Sequence, residues 1–377
     1  MMSLAALSAP WEVLVVCVLL LVAPVVAVEW RRSAWTLGGL VVVLAATLFL
    51  SNGPLAYGAA AAGALLHAVG AWPTSRTGAL WLVVTALITG AAGLALGAGQ
   101  LTAAFVLSTV AIAIRGGVLP LNAGVASLCD RAPVVQTQQL ASMIALVFVH
   151  LRFVDHHPEA MALAPTVVHI GTVAAVSGAL LSIAQRDLRG FYRATTSVHG
   201  GMILAALGAA SHYNFAAALI VVVSTGLSLG GLGIVITSLE ERVGAVRFDD
   251  GGGRIQAFSR MGAAFVLFGG AGVAMPGTVG FVADDLLLHT LWRESPTGTV
   301  LLILASATLA VSTLICYSHV FLGRAAAMRA PDLSARERAV ALVLLILNLG
   351  LGLAPGVLIH PADEFLTVAP ALAQSVP

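Results

Sequence analysis

Runs of about twenty mostly apolar residues recur along this chain, and that is the length a helix needs to cross a bilayer core. Twelve can be read, at approximately 12–28, 34–51, 54–71, 78–98, 100–128, 134–153, 163–184, 194–211, 213–238, 257–290, 298–322 and 337–359. Composition excludes a soluble alternative. Only 9% of the 377 residues are charged, against about 25% in an ordinary globular domain. So few charges cannot clothe a water-facing surface, and a chain 59% hydrophobic is not disordered. The net charge of +1 offers nothing to a nucleic acid. Cys17, Cys129 and Cys316 are far apart and form no metal or disulfide framework. The first run lacks a basic leader and reads as a span rather than a cleavable signal. All 18 basic residues are arginine; lysine does not occur.

Arginine placement tests the number of spans, because cytoplasmic loops are enriched in basic residues. With the N-terminus outside, the inward loops collect 15 arginines, from Arg31, Arg32 and Arg76 through Arg131, Arg186, Arg189 and Arg193 to Arg336 and Arg338. The outward side holds 2, Arg152 and Arg293, and 1, Arg115, falls inside a span. One missed helix would scramble that asymmetry, so both termini are expected on the outer side of the cytoplasmic (inner) membrane. The longest polar stretch, 240–260, reads as an inward loop. Its Gly251-Gly252-Gly253 follows no strand and is no phosphate cradle.

Two runs are broken. One contains Arg115-Gly116-Gly117-Val118-Leu119-Pro120; the other runs from Met275-Pro276-Gly277 to Asp284-Asp285. Gly and Pro inside a span free backbone groups that need protein or water partners. An ionisable residue stands beside each break. A charge at the bilayer centre costs about 2.5–3.5 kcal/mol on insertion scales, so such residues normally face an internal polar route. Paired breaks in corresponding halves point to the transport site of an inverted-repeat protein. Dividing the runs as one, five, five and one puts each break in the fourth helix of a five-helix unit. The expected fold is an all-α polytopic membrane protein of about 12 transmembrane helices, with two inverted five-helix repeats, each with one broken helix. It forms a single membrane domain over 1–377, with a first repeat at 34–153, a second at 163–322, and flanking helices 12–28 and 337–359. The alternative is ordinary proline kinks, with Arg115 snorkelling to an interface and Asp284 and Asp285 ending a helix.

From about Gly53 onward the chain resembles the antiporter-like, proton-translocating membrane subunits of respiratory complex I and its relatives, the NuoM type above all, in a shortened and divergent form. Arg115-Gly-Gly-Val-Leu-Pro-Leu-Asn122 is similar to that family's Lys-x-Pro-x-x-Pro-Phe-His run. Ala132-Pro133 and Leu151-Arg152-Phe153 match in order. Gln185-Arg186-Asp187-Leu188-Arg189 resembles Gln-x-Asp-Leu-Lys-Arg, and Ala194-Thr195-Thr196-Ser197-Val198-His199-Gly200-Gly201 the Tyr-Ser-Ser-x-Ser-His-Met-Gly segment. Val223-Ser224-Thr225-Gly226-Leu227-Ser228 parallels Val-Ser-His-Gly-Leu-Ser. Met275-Pro276-Gly277 through Asp284 parallels Leu-Pro-Gly-x-x-Gly-Phe-x-Gly-Glu. The shared order over about 300 residues is more specific than any one match.

The departures concern the proton carriers. Arg115 stands where the family has a lysine, Ile144 where it has a second, and Thr225 where it has a histidine. No carboxylate occurs near Ala59 to Ala61, where the family carries an acid. Buried lysine can shed a proton near neutral pH, whereas arginine cannot. Arg115 is therefore expected to be a fixed charge that stabilises an anionic Asp284 or Asp285 or gates water. Histidine is then the natural carrier. His67, His150, His169, His199 and His319 lie in or near spans, with a structural, hydrogen-bonded histidine as the alternative in each case.

The resemblance implies an ion, foremost proton, translocating membrane-arm subunit of a complex-I-like NADH–quinone oxidoreductase or related complex. Its ion pathway is Arg115, His199, Thr225, Ser228, Asp284 and Asp285. It implies no cofactor or metal in this chain. The expected partners are other membrane subunits, lipid, and a quinone held by a neighbouring subunit. A non-pumping scaffold homologue is the alternative, as is the membrane subunit of a hydrogenase, cation/proton antiporter or inorganic-carbon uptake complex.

Overall fold

A computed structural model describes residues 4–27, 34–209, 215–324 and 330–357. Arg31, Arg32 and Arg329, and the edges of the expected runs at 28, 210–211, 213–214 and 358–359, lie outside these residues. The described residues form fourteen α-helices and no strand. They are α1 (Leu4–Ala27), α2 (Ala34–Phe49), α3 (Gly53–Ala71), α4 (Arg76–Gly97), α5 (Leu101–Arg115), α6 (Ala123–Arg131), α7 (Pro133–His156), α8 (Ala164–Ile183), α9 (Leu188–Gly208), α10 (Phe215–Val243), α11 (Ser259–Ala271), α12 (Val279–Glu294), α13 (Pro296–Phe321) and α14 (Ala335–Leu353). Ten of the twelve apolar runs become one helix each. The two broken runs become α5 with α6 and α11 with α12. Six helices, α3, α4, α7, α8 with its leading turn, α10 and α13, are long and apolar enough to cross a bilayer.

Helix starts follow local chemistry. The side chains of Asn52, Ser75, Asp187 and Ser295 accept the first free backbone N–H groups of α3, α4, α9 and α13. Ser334 and Glu337 exchange bonds at the start of α14 as a capping box.

The middle of the bundle is α7, α9 and α10. An 18-residue window of α10 is buried along its whole length. The outer faces of α4, α8, α13 and α14 carry exposed Leu87, Leu94, Val173, Leu180, Leu304, Leu314 and Ile346, as a lipid-facing surface requires. Without a hydrophobic drive between helices in lipid, close packing of small residues takes over. The α8–α9 contact is of this kind: a Cβ on Gly201 would stand 2.4 Å from the Ala175 nitrogen, and one on Gly171 2.4 Å from the Ala205 nitrogen.

Charged groups collect at one face. Arg193 pairs with Asp130 at 2.9 Å, Arg189 with Glu240 at 2.5 Å, and Arg242 with Glu337 at 2.6 Å. These pairs tie α6 to α9, α9 to α10, and α10 to α14. The polar stretch 240–260 folds over the same face as a loop, anchored where Val246 and Leu322 carbonyls accept from the Leu188 and Gly253 amides. Arg152 stands near the far end of α7, where it caps α2 through the Leu48 and Leu50 carbonyls. Glu337 is the most deeply engaged of these acids. It takes two bonds from Arg242 and is only 4% exposed at its side chain. Glu337→Gln keeps the shape but removes the charge facing Arg242. It is expected to cost about 2 kcal/mol, the scale of charged hydrogen bonds, read as a lower melting temperature of the detergent-solubilised protein.

Candidate functional site

The two breaks are built alike. Helix α5 ends at Arg115, Gly117 takes a left-handed φ of 67°, and the Val118 amide reaches back to the Ala113 carbonyl at 3.0 Å. Helix α11 ends at Ala271, Ala274 takes a left-handed φ of 59°, and the Met275 amide reaches back to the Gly270 carbonyl at 3.0 Å. This closure satisfies carbonyls that a helix end leaves free. Helix α12 then restarts from Thr278, whose hydroxyl accepts the Phe281 amide. Each break therefore survives in an apolar setting because its backbone polar groups find partners inside the protein.

Arg115 is 1% exposed and points into the bundle. Its guanidinium donates to the Ala60 carbonyl on α3 at 3.3 Å and to the Ser142 carbonyl and hydroxyl on α7 at 3.3 and 3.5 Å. Gln139 donates to the Arg115 carbonyl at 3.1 Å. The family's acid would fall beside Ala60, and here a backbone oxygen holds the cation instead. Among the described residues no carboxylate pairs with Arg115. Asp284 is half-buried on α12 and accepts from Ser306 of α13 at 3.1 Å. The two charges are thus held by different elements, and the expected stabilisation of Asp284 by Arg115 does not take the form of a contact. Asp285 sits about 100° further round the helix. It is exposed, with His289 at 3.4 Å.

Helix α9 joins the two breaks at His199 and Gly200. Gly200 lies so close to the first that a Cβ there would stand 2.2 Å from the Gly116 oxygen. The His199 Nε2 faces the second, 3.3 Å from where a Cβ on Gly272 would be. That nitrogen is buried and has no protein hydrogen-bond partner among the described residues. Ser228 accepts from Asn348 of α14 at 3.3 Å, while the Thr225 hydroxyl donates to its own helix at the Val221 carbonyl. Of the remaining histidines, His169 and His319 are exposed on the outer surface, His319 stacked on Phe248. His67 and His150 are 1% exposed. The Nδ1 of His150 is 2.8 Å from the Ser108 hydroxyl, while its Nε2 and both nitrogens of His67 have no protein partner among the described residues.

Two cavities approach this polar interior from opposite faces. One of about 310 Å³ opens on the arginine-rich face between α3, α7 and α10, and His67 and Gln138 line it. One of about 270 Å³ opens on the other face between the start of α3 and the end of α7, lined by Ala56, Val149 and Arg152. The Ala60–Arg115–Ser142 contact lies between them on both helices. Sequence reading missed Ser142, Gln139, Ser108 and Asn348 as parts of this interior. The available signal was the buried run Gln136-Thr137-Gln138-Gln139, four polar residues early in an otherwise apolar span. Each orphaned polar atom there carries a desolvation cost that water or a transported ion would relieve.

The family of NADH:quinone oxidoreductase/Mrp antiporter transmembrane proteins matches residues 3–313. NADH-quinone oxidoreductase subunit M of Escherichia coli K12 is 28% identical over 254 residues, which is 65% of this chain and 50% of that protein. The chain spans about half the length of the curated relatives it matches. A chain of respiratory complex I from Thermus thermophilus has the same fold, with a TM-score of 0.84 at 19% identity over 96% of this chain and 85% of its own. So does one of the Mrp complex from Dietzia sp., at 0.79 and 15% identity over 95% and 82%. With the match covering most of the chain and the breaks falling where the motifs put them, the protein belongs to the NADH:quinone oxidoreductase/Mrp antiporter transmembrane family.

Proposed function

We propose that this chain is an ion-translocating membrane-arm subunit of a complex-I-like NADH–quinone oxidoreductase or a related complex. The ion is a proton, and the chain carries no redox cofactor of its own. The observation that carries this is His199: a buried ring with a free nitrogen facing the second break, on the helix whose Gly200 packs against the first. Arg115 supplies a fixed charge at the first break and Asp284 an ionisable group beyond the second. Ser228 lines the space between α10 and α14. Thr225 and Asp285 complete the proposed pathway at its edges, Asp285 where a neighbouring membrane subunit would meet α12.

The fold is read as twelve spans in two inverted five-helix repeats, α2–α7 and α8–α13, in the cytoplasmic membrane with both termini outside. Corresponding helices pack on corresponding partners, which supports that reading. Helix α3 packs on α4 and α7 as α9 packs on α10 and α13, and α4 packs on both halves of the first break as α10 does on both halves of the second. The matching break closures, across Gly117 and across Ala274, support it further.

In the reconstituted native complex, Asp284→Asn is expected to preserve assembly and cut driven proton flux at least tenfold. Asparagine can still accept from Ser306 but cannot ionise. Flux equal to wild type would overturn the pathway. A scaffold role is the second reading, favoured by the backbone carbonyl standing where the family has an acid. It predicts assembly defects with no flux-specific change.

A further inference from the structure

We propose that His67 is the proton-uptake site of this chain, loaded from the cavity on the arginine-rich face. The inference rests on the translocation reading above and adds a residue that lies outside its pathway. His67 lies in the last two turns of α3, 1% exposed, and both ring nitrogens lack a protein partner among the described residues. It lines a cavity of about 310 Å³, room for several waters at about 30 Å³ each. A buried imidazole with two free nitrogens at the side of a polar cavity can take a proton on one and release one from the other. One N–H bond forms on the accepting nitrogen and one breaks on the releasing nitrogen, no oxidation state changes, and the ring returns neutral as the opposite tautomer.

The surroundings set the direction. The cavity mouth carries Arg131, Arg189, Glu240 and Glu241, with Arg189 paired to Glu240. Thr74 of the α3–α4 turn, Thr237 of α10 and Gln138 of α7 face it uncharged, and α2 contributes only Leu40. Further in on the same helix, the Ala60 carbonyl holds the Arg115 guanidinium. Ala60, which holds Arg115, is seven residues before His67, about 10 Å along the helix and about 20° around it. So His67 is the titratable group between the cavity and the fixed charge. The fixed charge of Arg115 stands on the straight run from His67 to the opposite cavity and opposes a cation there. His199 stands beside the Gly116–Gly200 contact, next to the first break.

Two measurements test this in the native complex in oriented vesicles. The first is driven proton flux in His67→Gln, with His67→Glu alongside. Flux is expected to fall at least fivefold in His67→Gln and to recover in part in His67→Glu, which titrates. Wild-type flux in His67→Gln, with loss in Asp284→Asn, would overturn the His67 site alone. Wild-type flux in both would overturn the translocation reading with it. The second is labelling of His67→Cys, after Cys17, Cys129 and Cys316 are replaced by alanine, with a membrane-impermeant cationic methanethiosulfonate. Labelling is expected from the arginine-rich face only. Failure to label from that face, or equal labelling from both, would overturn the site even if the glutamine variant does not assemble.

Discussion

Replacing Arg115 by methionine is expected to leave the protein folded and to raise passive proton leak about tenfold, collapsing the gradient that the complex maintains. The stability side follows from burial. Arg115 is 1% exposed and is held by two carbonyls and one hydroxyl, with no carboxylate partner among the described residues. Taking a cation out of water is costly, and replacing such a group by an apolar side chain of similar length is often neutral or stabilising. The bonds lost leave exposed needs only on Ser142, whose hydroxyl also donates to the Gln139 carbonyl, and on carbonyls that remain inside helices. The leak side follows from position. Arg115 stands between two cavities that approach from opposite faces. A unit charge about 10 Å away at an effective dielectric of about 20 raises the energy of a passing cation by about 1.7 kcal/mol. That is slightly more than a tenfold barrier. Arg115→Lys separates charge from permanence: its leak should rise with pH, because a buried amine loses its proton where a guanidinium does not. Dye-reported proton leak in sealed vesicles measures both variants. Unchanged leak in Arg115→Met would remove the barrier role.

Gly200→Ala should lower stability and driven flux together. The added methyl would stand 2.2 Å from the Gly116 oxygen and 2.7 Å from the Gly116 carbon, both backbone atoms that no rotamer change can move. Helix α9 must back away from the first break, and His199 moves with it. Overpacking of this kind costs about 1–3 kcal/mol, more where backbone must shift. The expected result is a melting temperature lower by several degrees together with a loss of driven flux. Gly58→Ala is the control. Nothing lies within 4 Å of its Cβ, and alanine is the better helix former by about 1 kcal/mol. A Gly200→Ala protein as stable as the Gly58→Ala protein would contradict the close approach of α9 to the break.

Much of the fold was legible because lipid imposes a simple rule. A span must be apolar, about twenty residues long and helical, so the runs could be read from residue type alone. The breaks were legible for the same reason. Gly116, Gly117 and Pro120, and Pro276 and Gly277, have no ordinary place in a span, and the helices end at those points. The relevance of Arg115 and Asp284 followed from the cost of burying charge. Their relation did not. Residues 115 and 284 are far apart in sequence, and only the packing of α3 and α7 on one and of α13 on the other gives each its own partner. Asp285 marks the limit of reading by type: it is as acidic as Asp284, yet one step of helix rotation turns it outward.

The order of apolar runs determined, without any structure, that this chain is a bundle of membrane helices with two interruptions, and its missing lysines determined that no lysine carries a proton here. Only the tertiary structure decided which polar groups share an interior. It set a carbonyl rather than an acid against Arg115, packed Gly200 against the first break and His199 against the second, and opened a cavity to His67. The physical reason is that apolarity is a property of each residue, while burial and partnership belong to pairs of residues brought together from distant parts of the chain.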